Sequence, residues 1–380
     1  MRLALILALG TALSTTSLAI AAQPAAPAKA AKAAPAGDPT IAPPGWSAPK
    51  NAMGQPDISG YWSNATMTPL TRNARVTDKA TLTAAEARAL EKTFADALAE
   101  ADRPTDLAAP TVLPGDAKAA EGKLVALRPD LAAAGGDVGG YNTFWIDPGA
   151  HIMEINGEFR TSILTTPNGQ PPKRKDGAAG GRGGYRDIYD SYETRSLGER
   201  CIMGFGSNAG PPMFANGYYN NNYQIVQTAD SVVIQVEMIH DSRIIRLNSK
   251  HRTDGVRPWM GDSIGHYEGN TLVVETTNIP QGQAFMGSWK NLKVTERFTR
   301  VTPTRVNYKF QVEDPDMWDQ AWGGEYNFAP LRGILYEYAC HEGNYALPGI
   351  LAGARAADKE KADAAGGSTK TAASGKPGDQ

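Results

Sequence analysis

The residues best suited to chemistry lie in strand-like segments between positions 231 and 300. In SVVIQVEMIH, every second residue from Val232 onward is apolar, and His240 stands at the end of that face. Arg243 shares a face with the aliphatic residues of RIIRLN, and Glu296 lies between two apolar residues of LKVTERFTR. Because an inward charge is costly unless it is paired or binds a ligand, the three residues predict one interior site. His240 would be the general base, Arg243 the clamp for an oxyanion or carboxylate, and Glu296 the acidic or orienting partner.

Each of these residues also has a purely structural interpretation. A histidine at a strand end is commonly half-exposed, and Arg243 with Glu296 can form a simple interior ion pair. Asp262, in WMGDSIG, is either a further catalytic carboxylate or a turn residue that hydrogen-bonds its own backbone. The sequence leaves these alternatives open.

A second set of residues is suited to binding a ligand. Trp62, Trp145 and Tyr308 would supply an apolar lining, and His251 would contact the ligand. His251 and His266 are possible metal ligands, but they have no recognisable metal-binding spacing, and neither CxxC nor HExxH occurs. We therefore predict no metal and no cofactor. No serine lies in a nucleophile elbow, which argues against a hydrolase triad.

Two classes of function fit such a site. The first is an enzyme of lyase or isomerase type that acts on a small, largely apolar or aromatic metabolite by general acid/base chemistry. The second is a non-catalytic carrier that uses the same cavity. The number of inward titratable groups favours the enzyme. Nucleic-acid binding is not expected, because the formal net charge is −2 and the short KRK run at 173–175 stands in a Gly/Pro-rich loop.

The elements that position these residues occupy the middle of the chain. Residues 1–21 have the layout of a cleaved secretory signal, with an apolar run too short to span a bilayer. Residues 22–50 are rich in Ala and Pro and predict a disordered linker, and residues 353–380 predict a disordered tail. A single domain is therefore expected over residues 51–352, in a periplasmic or secreted protein without a membrane span.

Two cysteines and one helix constrain this domain further. Cys201 and Cys340 are the only cysteines, and in an oxidising compartment such a pair is expected to form a disulfide. A capping box opens a helix near 83–103, whose larger apolar residues recur every four positions. Residues 168–190 are predicted to be a flexible Gly-rich surface loop, because no phosphate-binding motif accompanies the glycines.

Strand patterns dominate the chain beyond the helix. Short segments are predicted at 141–146, 151–155 and 159–166, and eight more follow between 223 and 340, with short turns and no helical pattern between them. Parallel crossovers are therefore not expected, and an antiparallel up-and-down arrangement remains. A meander of this length hides its edges either in a closed β-barrel or in a two-sheet β-sandwich, and we expect the barrel.

The short motif GYW at 60–62 strengthens this expectation. It resembles the Gly-x-Trp entry motif of the lipocalin-like (calycin) superfamily. The resemblance implies a lipocalin-like barrel in which Trp62 plugs the closed end. It also implies that an arginine from a late strand, either Arg297 or Arg300, packs across the tryptophan.

A longer resemblance covers about residues 220–345. The stretch RIIRLNSKHR…PWMGDSIGHYEGNTLVVETTN, with TERFTR and LYEYACHEGNY after it, is similar to a widespread group of secreted bacterial proteins. Positions 248–252 read NSKHR where that group has Asp-Gly-Arg-Pro-His. The resemblance implies secreted relatives and supplies no particular chemistry.

Overall fold

A computed structural model describes residues 40–101, 147–176, 189, 191–204, 210–214 and 219–372 of the chain. The predicted signal peptide lies outside these residues, as do the strand at 141–146 with Trp145 and most of the Gly-rich loop. Among the described residues, no helix is both long enough and apolar enough to cross a bilayer.

The described residues contain twelve β-strands and three α-helices, as in a mainly β protein. The strands are β1 (Gly60–Ser63), β2 (Thr81–Leu82), β3 (Glu154–Ile155), β4 (Glu158–Arg160), β5 (Asn222–Gln227), β6 (Ser231–Val236), β7 (Ser242–Leu247), β8 (Asp262–Glu268), β9 (Thr271–Thr277), β10 (Lys293–Thr302), β11 (Arg305–Glu313) and β12 (Trp322–Pro330). The helices are α1 (Ala84–Ala101), α2 (Cys340–Gly343) and α3 (Ala346–Ala372).

Nine of these strands close into a barrel in the order β1-β12-β11-β10-β9-β8-β7-β6-β5. β1 closes the ring because it pairs with β12 on one side and with β5 on the other. In strands such as β5, β6 and β7 alternate residues are buried, and the inward side chains of the barrel strands form the main core. The predicted lipocalin-like β-barrel is confirmed, and the alternative of a two-sheet sandwich is wrong.

One strand pair departs from the predicted antiparallel arrangement. β7 and β8 are parallel, with Ile245 opposite Ser263. A parallel neighbour requires the chain to return to the starting end of the first strand, and the connection 248–261 makes that return. The backbone of Asn248, in the left-handed region, starts the turn and its N–H donates to the carbonyl of Gly265. The expectation of a purely antiparallel meander is wrong at this pair.

Trp62 and Arg300 lie together at one end of the barrel. Trp62 is buried, and its indole N–H donates to the carbonyl of Ile58 at 3.0 Å. The guanidinium of Arg300 lies 5.3 Å from the centre of the indole and donates to the carbonyl of Asp57. Arg297 instead forms an exposed ion pair on the barrel's outer surface. Trp62 is therefore a buried member of the main apolar core, and the late-strand arginine that packs on it is Arg300.

α1 builds a smaller core outside the barrel. The capping box is formed by Thr83 and Glu86, each of which accepts a hydrogen bond from the backbone N–H of the other. Phe94 of the helix is buried against the sheet β2-β4-β3, where Phe159 belongs to the same apolar cluster. The segment predicted as a strand at 159–166 is shorter in the structure, and β4 ends at Arg160.

The described parts of the two predicted disordered segments, residues 40–50 and 353–372, contain ordered structure. Thr40, in the predicted linker, is buried and exchanges two hydrogen bonds with Asn156. In the predicted tail, α3 runs from Ala346 to Ala372, and its described side chains, those of residues 346–364, are mostly exposed. Its composition lacks large apolar residues for packing, but alanine has the highest helix propensity. Low hydrophobicity thus excluded a core contribution and did not exclude a helix.

The segment at the end of the predicted β region is also different. GILYEYAC, expected to be the last strand, contains no strand in the structure, and Cys340 opens α2. Cys340 is bonded to Cys201 with an S–S distance of 2.04 Å, which confirms the predicted disulfide. The bond joins segments that are 139 residues apart in the sequence.

Candidate functional site

The candidate site is a cluster of polar side chains inside the barrel. Arg243 comes from β7, Glu296 from β10 and Tyr308 from β11, each at a buried position of the alternating pattern. Arg243 donates to both carboxylate oxygens of Glu296, with Nη1···Oε2 at 2.7 Å and Nη2···Oε1 at 3.0 Å. The exposed fractions of the two side chains are 1% and 0%. The structure therefore brings these three predicted residues together in the interior.

Tyrosine hydroxyls extend the cluster to a backbone segment at residues 210–214. The hydroxyl of Tyr308 donates to Glu296 at 2.8 Å and accepts from the backbone N–H of Met213 at 2.8 Å. Tyr326 donates to the carbonyl of Met213 at 2.9 Å. The main chain of Met213, which is fully buried, is thus held by side chains of two barrel strands.

Two polar atoms of the cluster have no hydrogen-bond partner among the described residues. They are the Nε of Arg243, which is a donor, and the Oδ1 of Asn64, which is an acceptor. The amide nitrogen of Asn64 does have partners, the hydroxyls of Tyr223 and Tyr326. An unpaired buried donor or acceptor is destabilising by roughly 1–3 kcal/mol. Within the described residues, these two atoms are therefore the unpaired polar positions of the cluster.

Burial keeps the interior tyrosines protonated. It raises the pKa of Tyr308 well above its ordinary value, and the neighbouring negative charge of Glu296 raises it further. The pKa values of Tyr326 and Tyr223 are also raised, again mainly by burial. All three hydroxyls are consequently hydrogen-bond donors near neutral pH and not bases.

Aromatic rings surround the segment that Tyr308 and Tyr326 hold. Phe214 packs against Phe285 and Phe310 with ring centroids 5.4 and 5.1 Å apart. Phe285 in turn stacks on Trp322 at 5.8 Å. The main chain of Met213 therefore contacts tyrosine hydroxyls, and the side chain of Phe214 contacts aromatic rings.

His240, the predicted general base, does not belong to this cluster. β6 ends at Val236, and residues 238–240 form a short 3-10 turn in which Ile239 and His240 have left-handed backbone angles. The turn breaks the two-residue alternation, and His240 is exposed. Its predicted position in the barrel interior is therefore wrong, because the strand periodicity was extended through a chain reversal.

Asp241 caps the C-terminal end of this turn and is buried, as are Met238 and Ile239 within it. Its carboxylate accepts a hydrogen bond from the backbone N–H of Gly204 at 2.6 Å. Burial raises the pKa of Asp241 to about 6, although this hydrogen bond opposes the shift. The turn thus contains a carboxyl group whose charge changes close to physiological pH.

The raised pKa of Asp241 predicts a fall in stability as pH rises from about 4 to 6. In that range the folded protein retains a proton that the unfolded chain has lost, so the slope of unfolding free energy against pH is negative. We expect Asp241 to contribute a loss of about 1–2 kcal/mol, since partial solvation reduces the full effect of the shift. Urea denaturation at pH 4.5 and pH 7 measures it. Asp241→Asn should remove this part of the loss, and the exposed Asp254→Asn should not; identical profiles for parent and Asp241→Asn would contradict the prediction.

Asp262 and His251 lie together on the outer face of the barrel. Asp262 is buried at the start of β8 and accepts from His251 Nδ1 at 2.9 Å and from Arg246 at 2.7 Å. Burial acts to raise the pKa of Asp262, but hydrogen bonds from the Arg252 N–H, His251 and Arg246 outweigh it and lower the pKa below its usual value. Asp262 therefore lies outside the interior site that contains Arg243, although the two residues were predicted to act together.

This outer network fastens the crossover between β7 and β8. The second ring nitrogen of His251 is 3.1 Å from Glu275 on β9, so both nitrogens are engaged by carboxylates. His266 forms its own exposed pair with Glu268. Within the described part of the chain, no group of three or more His, Cys, Asp and Glu side chains is arranged to hold a metal ion. These contacts of His251 and Asp262 hold the 248–261 connection against the sheet.

Sequence reasoning missed four members of the interior cluster. Tyr326 lies on β12, which no strand pattern predicted, and Met213 takes part through its main chain. Asn64 directly follows the short strand β1, and Tyr223 faces inward from the first position of the predicted strand YQIVQT. Of these, only Tyr223 could have been found from the alternation of its strand.

No family model matches this chain, and neither a curated protein nor a solved structure does. The interior cluster and the segment it holds are therefore the basis for inferring what the protein does.

Proposed function

We propose that the protein is a non-catalytic small-molecule carrier of lipocalin type, which binds a small, largely apolar or aromatic molecule with one polar group in the barrel interior. The observation that carries the proposal is the buried cluster of Arg243, Glu296 and Tyr308, in which Arg243 Nε is left without a partner among the described residues. A ligand carboxylate or hydroxyl would satisfy that donor, and burial would strengthen the interaction.

The segment Gly210–Phe214 supports the carrier proposal because it makes the contacts that a bound ligand would make. Its polar atoms meet the hydroxyls of Tyr308 and Tyr326, and the ring of Phe214 meets other aromatic rings. A β-carbon at Gly210 would lie 2.9 Å from Arg243 Nη1, so the glycine lets the main chain approach the charged cluster closely. We infer that a ligand enters by displacing this segment and taking over its hydrogen bonds.

General acid/base catalysis is the second candidate, favoured by a buried carboxylate beside a protonated phenol. Its support is weaker because His240 is exposed and both oxygens of Glu296 already accept hydrogen bonds from Arg243. A lyase or isomerase would have to free one oxygen of Glu296 when its substrate binds. Conversion of a bound compound by the parent protein, lost in Glu296→Gln, would favour the enzyme over the carrier.

The disulfide supports an oxidising, extracytoplasmic location for the carrier. Secretion through the signal at residues 1–21 stays a prediction. Mass spectrometry of the protein purified from culture medium or periplasm tests it, and an intact Met1 would contradict it.

A binding experiment tests the carrier proposal. The fluorescent probe 8-anilinonaphthalene-1-sulfonate combines an aromatic body with one anionic group, and trans-cinnamate is a smaller molecule of the same kind. We expect saturable binding of the probe and competition by cinnamate. Tyr308→Phe should weaken binding about tenfold, because it removes a hydroxyl that contacts the guest.

Tyr61→Phe is the matched control for that experiment. Tyr61 is on β1 with about half of its surface exposed, and its hydroxyl accepts from Gln224 outside the barrel. This variant should bind the probe like the parent, and thermal melting should show that both variants are folded. Equal weakening in both variants, or probe binding without saturation, would overturn the proposal.

A further inference from the structure

A second candidate site lies on the surface, where the connection between β9 and β10 meets the connection between β11 and β12. An open cavity of about 550 Å³ is formed there. This volume is in the range of small-molecule sites, which is roughly 300–1,000 Å³. The residues that define its chemistry are Ser288, Trp289, Lys290, Asp314, Asp316 and Met317. None of them belongs to the interior cluster.

One wall of the cavity is a fixed pair of buried polar residues. The hydroxyl of Ser288 donates to Asp314, and the exposed fractions of these residues are 1% and 5%. The other oxygen of Asp314 accepts from the backbone N–H of Asp316 at 2.9 Å. The carboxylate is thus held in place by the fold before any ligand arrives, which reduces the entropy lost on binding.

Trp289 contributes an aromatic surface with a restrained orientation. The guanidinium of Arg257 lies 5.2 Å from the centre of the indole and is itself anchored by a hydrogen bond to the carbonyl of Ile279 at 2.8 Å. Trp289 is only partly buried and lines the cavity. A ligand with a flat apolar face can therefore pack on a ring that is already positioned.

The charges around the cavity nearly balance. Among the lining residues, Asp176, Asp314 and Asp316 are acidic, and Lys175 and Lys290 are basic. Lys175 is also paired with a carboxylate outside the cavity at 3.2 Å. An anionic ligand would be repelled by three carboxylates and a cationic ligand by two amines, so binding of neither is strongly favoured. The cavity is suited to a neutral molecule that uses both donors and acceptors.

We propose that this cavity binds a neutral sugar ring. The C–H face of a pyranose packs on an indole, because aromatic faces carry negative charge density and polarised C–H groups are positive. Its hydroxyls donate to Asp314 and Asp316 and accept from Lys290, which makes charge-assisted hydrogen bonds. Asn291 donates to Asp316 at 2.6 Å and holds that carboxylate at the rim.

Saturation-transfer NMR of the whole protein with glucose, galactose and cellobiose tests the proposal. We expect transfer to the ring C–H protons of at least one of these sugars, with a dissociation constant in the millimolar range. Trp289→Ala should weaken binding tenfold or more, and Trp289→Phe should weaken it less because part of the platform remains. Asp316→Asn should also weaken it, through the loss of a charged acceptor.

Trp259→Ala is the matched control, because Trp259 is a half-exposed tryptophan that does not line the cavity. It should bind sugar like the parent. No transfer to any of the three sugars would overturn the proposal, as would equal transfer with Trp289→Ala and Trp289→Phe. The anilinonaphthalene probe bound in the barrel should be unaffected by every one of these variants, so the two sites can fail separately.

Discussion

Replacing Glu296 with alanine is expected to lower the free energy of unfolding by about 3–5 kcal/mol. The substitution leaves the guanidinium of Arg243 buried without its carboxylate, in a site where the arginine is 1% exposed. It also removes the acceptor of the Tyr308 hydroxyl, so a second buried group loses its partner. Urea denaturation monitored by tryptophan fluorescence measures the effect.

Matched variants separate an uncompensated charge from simple loss of packing. The double variant Arg243→Met with Glu296→Leu should recover most of the lost stability, because neither charge remains and the volume is retained. Glu268→Ala breaks the exposed pair with Arg297 and should change stability little, since solvent screens that pair. The interpretation fails if Glu296→Ala and Glu268→Ala are equally mild, or if the double variant is less stable than Glu296→Ala.

Removing the disulfide is expected to lower the free energy of unfolding by about 2–5 kcal/mol. The bond closes a loop between residues 139 apart, which restricts the unfolded chain far more than a local link would. The variant Cys201→Ser with Cys340→Ser should unfold at lower urea than the parent. Its folded barrel should still bind the anilinonaphthalene probe, because neither cysteine is in the interior cluster.

A reductant supplies the control for this prediction. Parent protein treated with dithiothreitol should unfold like the double variant, and the double variant should not respond to the reagent. Coincident curves for untreated parent and double variant would contradict the prediction. Two free thiols in the untreated parent would show that the bond does not form.

The two effects act on different parts of the fold. The ion pair ties β7 to β10 across the barrel interior, whereas the disulfide ties the segment between β4 and β5 to α2, which follows β12. Asn344, just after α2, donates to the carbonyl of Glu199 at 2.8 Å and reinforces the same connection. We therefore expect the losses in stability to add when both are removed.

The sequence by itself determined which faces of the strands are buried. Alternation placed Arg243 and Glu296 inward. The absence of helical patterns between strands predicted an antiparallel sheet that hides its edges, which holds at every barrel pair except the parallel pair β7–β8. The prediction for Arg243 and Glu296 was correct because strand burial depends on residues two apart, which a single sequence displays. The lone cysteine pair was equally visible, since no other pairing within the chain exists.

Only the tertiary structure decided where the chain reverses and which segments close the barrel. β12 has no clear strand pattern because Gly323 and Gly324 stand in it, yet a β-carbon at Gly323 would lie 1.9 Å from the carbonyl oxygen of Phe310. Glycine is therefore required there by the approach of β11, a contact that local sequence does not encode. His240 is likewise outside the interior because Ile239 and His240 adopt left-handed backbone angles, which the alternation of the sequence does not reveal. The position of Met213 among the tyrosines likewise depends on contacts with strands about a hundred residues later, so periodicity carries no information about it.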